Sequence, residues 1–142
     1  MNTATLPLYR IIDLPPRASA VPDVRRRVVA SLREWGCPEA DDLPYAIGLV
    51  ASELITNAIT HAGRCTPRVQ VTLDLQDGTL RIGVRDNHPV VPRRQPASPY
   101  ATCGRGTVIA EALLGELDGR LRIEMHDDGK TVWAEVPSRF PG

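Results

Sequence analysis

Three stretches of this chain place polar groups where the surrounding pattern calls for apolar or featureless ones. In Ala51-Ser-Glu-Leu-Ile-Thr-Asn-Ala-Ile-Thr-His-Ala62 and the residues before it, helical spacing gathers Leu43, Ile47, Val50, Leu54 and Ala58 into one apolar arc. Glu53 falls on the border of that arc, Asn57 inside its edge, and His61 within it. The three form an i, i+4, i+8 polar stripe turned toward the interior. A carboxylate and a carboxamide in that position need partners, because burying an amide-like group unpaired costs roughly 2–7 kcal/mol. Protein groups can supply those partners, and so can a cleft with its ligand; this helix alone leaves both readings open.

The second stretch is a strand. Counting by two from Leu80 through Ile82 and Val84 lands on Asp86, so its carboxylate shares the core face. Either the strand has ended there and Asp86 caps a loop, or the carboxylate is an acceptor at a pocket floor, ready for an amino group. The third is Gly104-Arg105-Gly106 at the expected start of a helix, where glycines admit a phosphate close to the backbone and the helix N-terminus favours an anion. It is not a dinucleotide fingerprint, since Ile109 stands at the last glycine of G-x-G-x-x-G, and there is no Walker A pattern.

The elements that must hold these residues are readable. Tyr9 to Leu14 reads as a short strand ended by Pro15-Pro16. Val21, Val24, Val28, Leu32 and Trp35 step as a helix that Gly36 and Pro38 stop. Asp41 or Asp42 caps the second helix, which carries Pro44 in its first turn and Gly63 past its end. Val69, Val71, Leu73 and Leu75 alternate, Asp77-Gly78 turns, and Leu80 to Val84 alternate back. Regular structure stops between Asn87 and Cys103, a proline-rich loop of the length usually reserved for function or disorder. A third helix spans Gly104 to about Leu117. Leu121, Ile123 and Met125, then Val132, Ala134 and Val136, form a last hairpin across Asp128-Gly129. Helices alternating with hairpins predict an α+β two-layer sandwich: one mixed or antiparallel sheet with helices packed on one face.

Composition narrows the classes. A length of 142 residues suits one domain with a real core, and 17 acidic residues balance 17 basic ones. No global field steers such a chain to nucleic acid or an anionic membrane. Lys130 is the only lysine among otherwise arginine basic residues. Cys37, Cys65 and Cys103 are scattered without metal-ligand spacing, and the N-terminus has no signal-like apolar run, so a reduced, cytoplasmic setting without a membrane span is expected.

In chain order these features resemble the GHKL, or Bergerat-fold, ATPases, most nearly the small bacterial anti-sigma-factor serine/threonine kinases. Glu53-Leu-Ile-Thr-Asn57-Ala-Ile-Thr-His61-Ala62 resembles the family's N-box, Val84-Arg-Asp86 its adenine box, Asn87 to Cys103 its ATP lid, and Gly104-Arg-Gly106 its glycine box. Gly129-Lys-Thr131-Val-Trp133 is similar to the strand bearing the family's threonine near the adenine. The likeness covers residues 46–137 of a single domain, 1–142.

The resemblance implies ATP and Mg²⁺ as cofactors. Asn57 would ligate the metal, with phosphates and waters completing its octahedron. Glu53 would be the general base. Asp86 would accept from the adenine amino group with Thr131 in support, and Gly104, Arg105 and Gly106 would close on the phosphates. His61 reads as an ordinary helix histidine beside the cleft. The chain departs from the family's Asp-x-Gly-x-Gly at His88 and Val90, and Thr107 replaces a common leucine.

Two functions stay open. One is an ATP-dependent serine/threonine kinase of the anti-sigma type, switching between a sigma factor and an anti-anti-sigma antagonist. The other is an interaction module that holds ATP, or nothing. The resemblance also implies a capacity to form homodimers. A sensor-kinase catalytic domain or a gyrase-like ATPase would need segments for which this length leaves no room.

Overall fold

The computed structural model describes residues 8–62, 68–87 and 105–138. They form strands β1 (Leu8–Leu14), β2 (Val69–Gln76), β3 (Thr79–Asp86), β4 (Arg120–His126) and β5 (Gly129–Pro137), and helices α1 (Val21–Glu34), α2 (Leu43–Ala62) and α3 (Arg105–Glu116). The strands make one five-stranded sheet in the order β1-β2-β3-β5-β4, with every neighbouring pair antiparallel. The expected α+β sandwich is therefore present, with the antiparallel alternative of the two.

Alternation along the strands divides the sheet into two faces. Val69, Val71, Leu73 and Leu75 of β2 are all buried, as are Leu80, Ile82 and Val84 of β3 and Ala134 and Val136 of β5. Against them lie Val24, Val28 and Leu32 of α1, Ile47, Val50, Leu54 and Ile55 of α2, and Ala110 and Leu114 of α3. The middle helix, α2, packs on β2 and β3 and is flanked by α1 and α3. Removing such side chains from water, at about 25 cal/mol per Å² of apolar surface, is the force that holds the layers together.

Local chemistry sets the ends of the elements. Helix α1 closes on Gly36, whose φ of 107° belongs to glycine, while the Cys37 amide donates back to the Leu32 carbonyl. Asp41 Oδ1 accepts from the Leu43 amide at 2.9 Å and so supplies the cap expected of Asp41 or Asp42. Asp77 and Gly78 both have positive φ, 52° and 74°, as a tight hairpin turn requires. Leu43–His61 has the length and hydropathy of a membrane span, but half of that stretch is buried in the fold, as the core position of α2 explains.

The arc on α2 holds from Ile47 to Ala58 and fails in the last turn. His61 is exposed, not turned inward as the spacing predicted. Helical periodicity states only which face a residue would share; burial also needs an opposing element, and none of the described residues buries His61. Gly63, Cys65 and Cys103 lie outside the described residues. Cys37 is a buried free cysteine, and burial pushes its thiol pKa up, which makes it a poor nucleophile.

Candidate functional site

Glu53 and Asn57 are both half-buried on α2, one helical turn apart, at the border that the spacing assigned to them. Their helix lies against β3. Asp86 ends β3, and its side chain is 2% exposed on the same face as Ile82 and Val84. The strand thus continues through Asp86, and the loop-cap alternative is excluded. Two carboxylates and a carboxamide belong to one packed pair of elements, β3 and α2.

The strand end is fastened by its neighbours. In the register between β3 and β5, Asp86 faces Lys130. Lys130 Nζ donates to Asp86 Oδ2 at 2.8 Å, with the lysine side chain 28% exposed. A charge-assisted bond of this kind offsets the cost of burying the carboxylate. Gly129, with φ of 155°, makes the approach possible: a Cβ there would lie 2.0 Å from the Asp86 carbonyl oxygen. Either side of Asp86, Arg85 and Asn87 both donate to Asp128, at 2.9 and 3.4 Å. The turn before β5 therefore grips the end of β3 from the open side of the sheet.

Thr131 is not brought to Asp86. It pairs with Arg85 in the register, one residue out of phase, and so faces the opposite side of the sheet. There its Oγ1 lies 2.8 Å from His126 Nε2. Lys130 takes the place beside Asp86 that the resemblance assigned to Thr131. A signal for it existed in the sequence: counting back by two from Val136 through Ala134 and Val132 lands on Lys130. Arg105 opens α3 and Gly106 follows in its first turn, as expected. Gly104 and the ATP lid beyond Asn87, including His88 and Val90, lie outside the described residues.

This donor set suits a magnesium nucleotide. Among the described residues no group of three or more His, Cys, Asp or Glu side chains converges on a metal position. Mg²⁺ bound to nucleotide needs far less, typically one or two protein oxygens with phosphates and waters for the rest, and the Asn57 carboxamide can be one of them. A buried carboxylate at a strand end is likewise the acceptor that an exocyclic amine requires.

Structural comparison finds the same fold in histidine kinase domains. It superposes with a TM-score of 0.57 and 22% identity on the histidine kinase domain of the Erythrobacter litoralis EL346 blue-light activated histidine kinase, covering 87% of this chain and 65% of that one. The catalytic domain of histidine kinase ThkA matches at a TM-score of 0.58 with 19% identity, covering 91% and 97%. The RsbU and RsbW domains of Rv1364c from Mycobacterium tuberculosis match at 0.58 with 25% identity, covering 97% of this chain but 34% of that one. No curated protein sequence matches significantly. The family model of the histidine kinase-like ATPase domain matches residues 14–136, from the end of β1 to the end of β5. That span takes in α2 and β3 whole, and the chain belongs to the histidine kinase-like ATPase family, with the GHKL fold.

Proposed function

We propose that this domain binds ATP with Mg²⁺ and acts as an anti-sigma-type serine/threonine protein kinase in partner switching. The observation that carries the reading is the buried Asp86 at the end of β3, facing the helix layer whose central member bears Glu53 and Asn57. The 25% identity to a chain containing an RsbW domain supports the anti-sigma type. In this reading Asp86 accepts from the adenine amino group, and Asn57 offers its carboxamide oxygen to the metal. Glu53 takes the proton of the incoming serine hydroxyl as the phosphoryl group transfers. By the resemblance, Gly104, Arg105 and Gly106 would close on the phosphates. A sigma factor and its antagonist as partners, a cytoplasmic location and a homodimer belong to the same proposal, as does treating residues 1–142 as one domain.

A second reading keeps ATP binding and drops phosphotransfer. His88 and Val90, in place of the family's glycines, favour it. Calorimetric titration with ATP and Mg²⁺, followed by phosphotransfer to antagonist proteins, separates the two. Asp86→Ala, in a variant shown to be folded, is expected to weaken ATP binding about 10- to 150-fold, the worth of a charged hydrogen bond. Asn57→Ala is expected to weaken the Mg²⁺-dependent part. Glu53→Ala is expected to leave binding intact and slow phosphotransfer by about 10²–10⁴-fold. Wild-type protein that binds ATP but phosphorylates no antagonist would leave the module reading standing; unchanged affinity in Asp86→Ala would remove Asp86 from the site.

A further inference from the structure

Lys130 has no part in the site as proposed above, yet it is the chain's single lysine and its ammonium sits 2.8 Å from the buried oxygen of Asp86. It shares the helix-covered face of β5 with Ala134 and Val136, and the close approach at Gly129 holds the two strands together there. A mere counter-ion would suffice to satisfy Asp86. A lysine does more, because its ammonium has three N–H donors and the carboxylate about four acceptor sites, so one bond between them exhausts neither. The pair therefore presents an acceptor and a donor side by side at one point on the core face. Lys130 keeps 28% of its side chain exposed, while Asp86 is 2% exposed.

That edge has a chemical counterpart. Adenine carries its N6 amino donor directly beside its N1 ring acceptor. With Asp86 on the amino group, a Lys130 N–H falls to N1. Guanine reverses both positions, setting a carbonyl oxygen against the carboxylate and an N–H against the ammonium. We infer that Lys130 is a second base-reading residue, donating to adenine N1 while Asp86 accepts from N6, so that the ion pair reads the base as a unit. This deepens the ATP-binding reading and rests on it.

The test compares ATP with 1-deaza-ATP, which replaces N1 by a carbon and leaves the amino group in place. Wild-type protein is expected to bind ATP at least about tenfold more tightly, as for loss of a hydrogen bond to a charged group. In Lys130→Met, which keeps the length of the stem without its donors, that preference should shrink to within about threefold of unity. Because the chain has one lysine, ε-¹⁵N-lysine labelling gives a single side-chain ammonium signal, and this readout needs no variant. Saturating ATP should shift it, and saturating 1-deaza-ATP should leave it near its free position. Equal wild-type affinities, an equal shift with both nucleotides, or a preference unchanged in Lys130→Met would each overturn the inference while leaving ATP binding intact. Failure of wild-type protein to bind either nucleotide would instead sink the ATP-binding reading, and this one with it. Should Lys130→Met not fold, the wild-type affinity ratio and the lysine signal decide.

Discussion

On the open face of the sheet, Glu135 is ion-paired with Arg81, Arg120 and Arg122 at 3.8, 3.1 and 3.4 Å, and Arg81 also reaches Asp74 at 2.7 Å. The Arg81 guanidinium lies 4.4 Å from the Trp133 ring centre, and the indole N–H donates to Glu124 at 2.9 Å. On the helix-covered face, the charged strand residues among those described are Arg10, reaching out to Ser31 and Glu34 of α1, and the pair Asp86–Lys130. Alternation along the same strands produces both faces. The arginines of this network keep 32% to 77% of their side chains exposed but Asp74 and Glu135 only 10% and 12%, so these pairs are part-buried and not simply solvated. A desolvated pair gains little net stability over a well-packed apolar one. Burial of charge therefore does not by itself separate the two faces; Asp86–Lys130 differs in lying on the covered face, at the end of the strand that packs on α2, where the proposed nucleotide would bind.

The contrast can be broken most forcefully at its apolar centre. Ile82→Ala on the covered face of β3 is expected to cost about 2–5 kcal/mol, from lost transfer energy plus a residual cavity. Denaturant titration measures it, and a loss below about 1 kcal/mol would mean that the helix layer does not seal this face.

A smaller effect is expected one residue along, on the other side of the strand. A Cβ at Gly83 would meet the Trp133 ring at 2.6 Å, so the indole lies flat across the backbone of β3. Gly83→Ala should push the ring off, breaking its stack with Arg81 and its bond to Glu124, at a cost of about 1–3 kcal/mol. Altered tryptophan fluorescence should accompany the loss; unchanged emission and stability would show that the ring is already free to move.

The smallest effect sharpens the comparison instead of breaking it. Glu124 is held below the ordinary glutamate range, chiefly by the Trp133 N–H bond, with His126, Arg122 and Arg81 adding to it and desolvation opposing it. A depressed folded-state pKa adds stability that is complete above the unfolded value and is lost as pH falls through the folded one. Trp133→Phe should return the Glu124 carboxyl toward its ordinary titration, as followed by NMR. An unchanged titration would assign the depression to the surrounding cations instead.

Most of the architecture was legible because it is local. Asp77-Gly78, the alternating valines and leucines of β2 and β3, and the Gly36 stop need only their neighbours in sequence. Asp86 was legible for the same reason, as the next step of a parity already established. Thr131 was misplaced where likeness to a motif overrode parity, although the same count from Val136 points to Lys130. What could not be read was non-local. Nothing in the sequence around Asp86 says that β5, arriving after α3 and β4, will be its neighbour, or that Asp128 will hold Arg85 and Asn87. The exposure of His61 was equally hidden, since the end of a helical pattern does not report where its cover ends.

The strand order has a consequence for timing. β3 lies between β2 and β5, yet β5 is the last of the five strands in chain order. During synthesis, β1, β2 and β3 can pair while one edge of β3, with Asp86 at its end, stays open until the last hairpin leaves the ribosome. An open edge of this kind invites pairing with the wrong strand, and closing it late spans a long stretch of chain, which slows the step. Lys130 arrives on the strand that closes it. A nucleotide read by both residues would bind only once β5 has closed on β3, and so would stabilise the finished sheet by mass action.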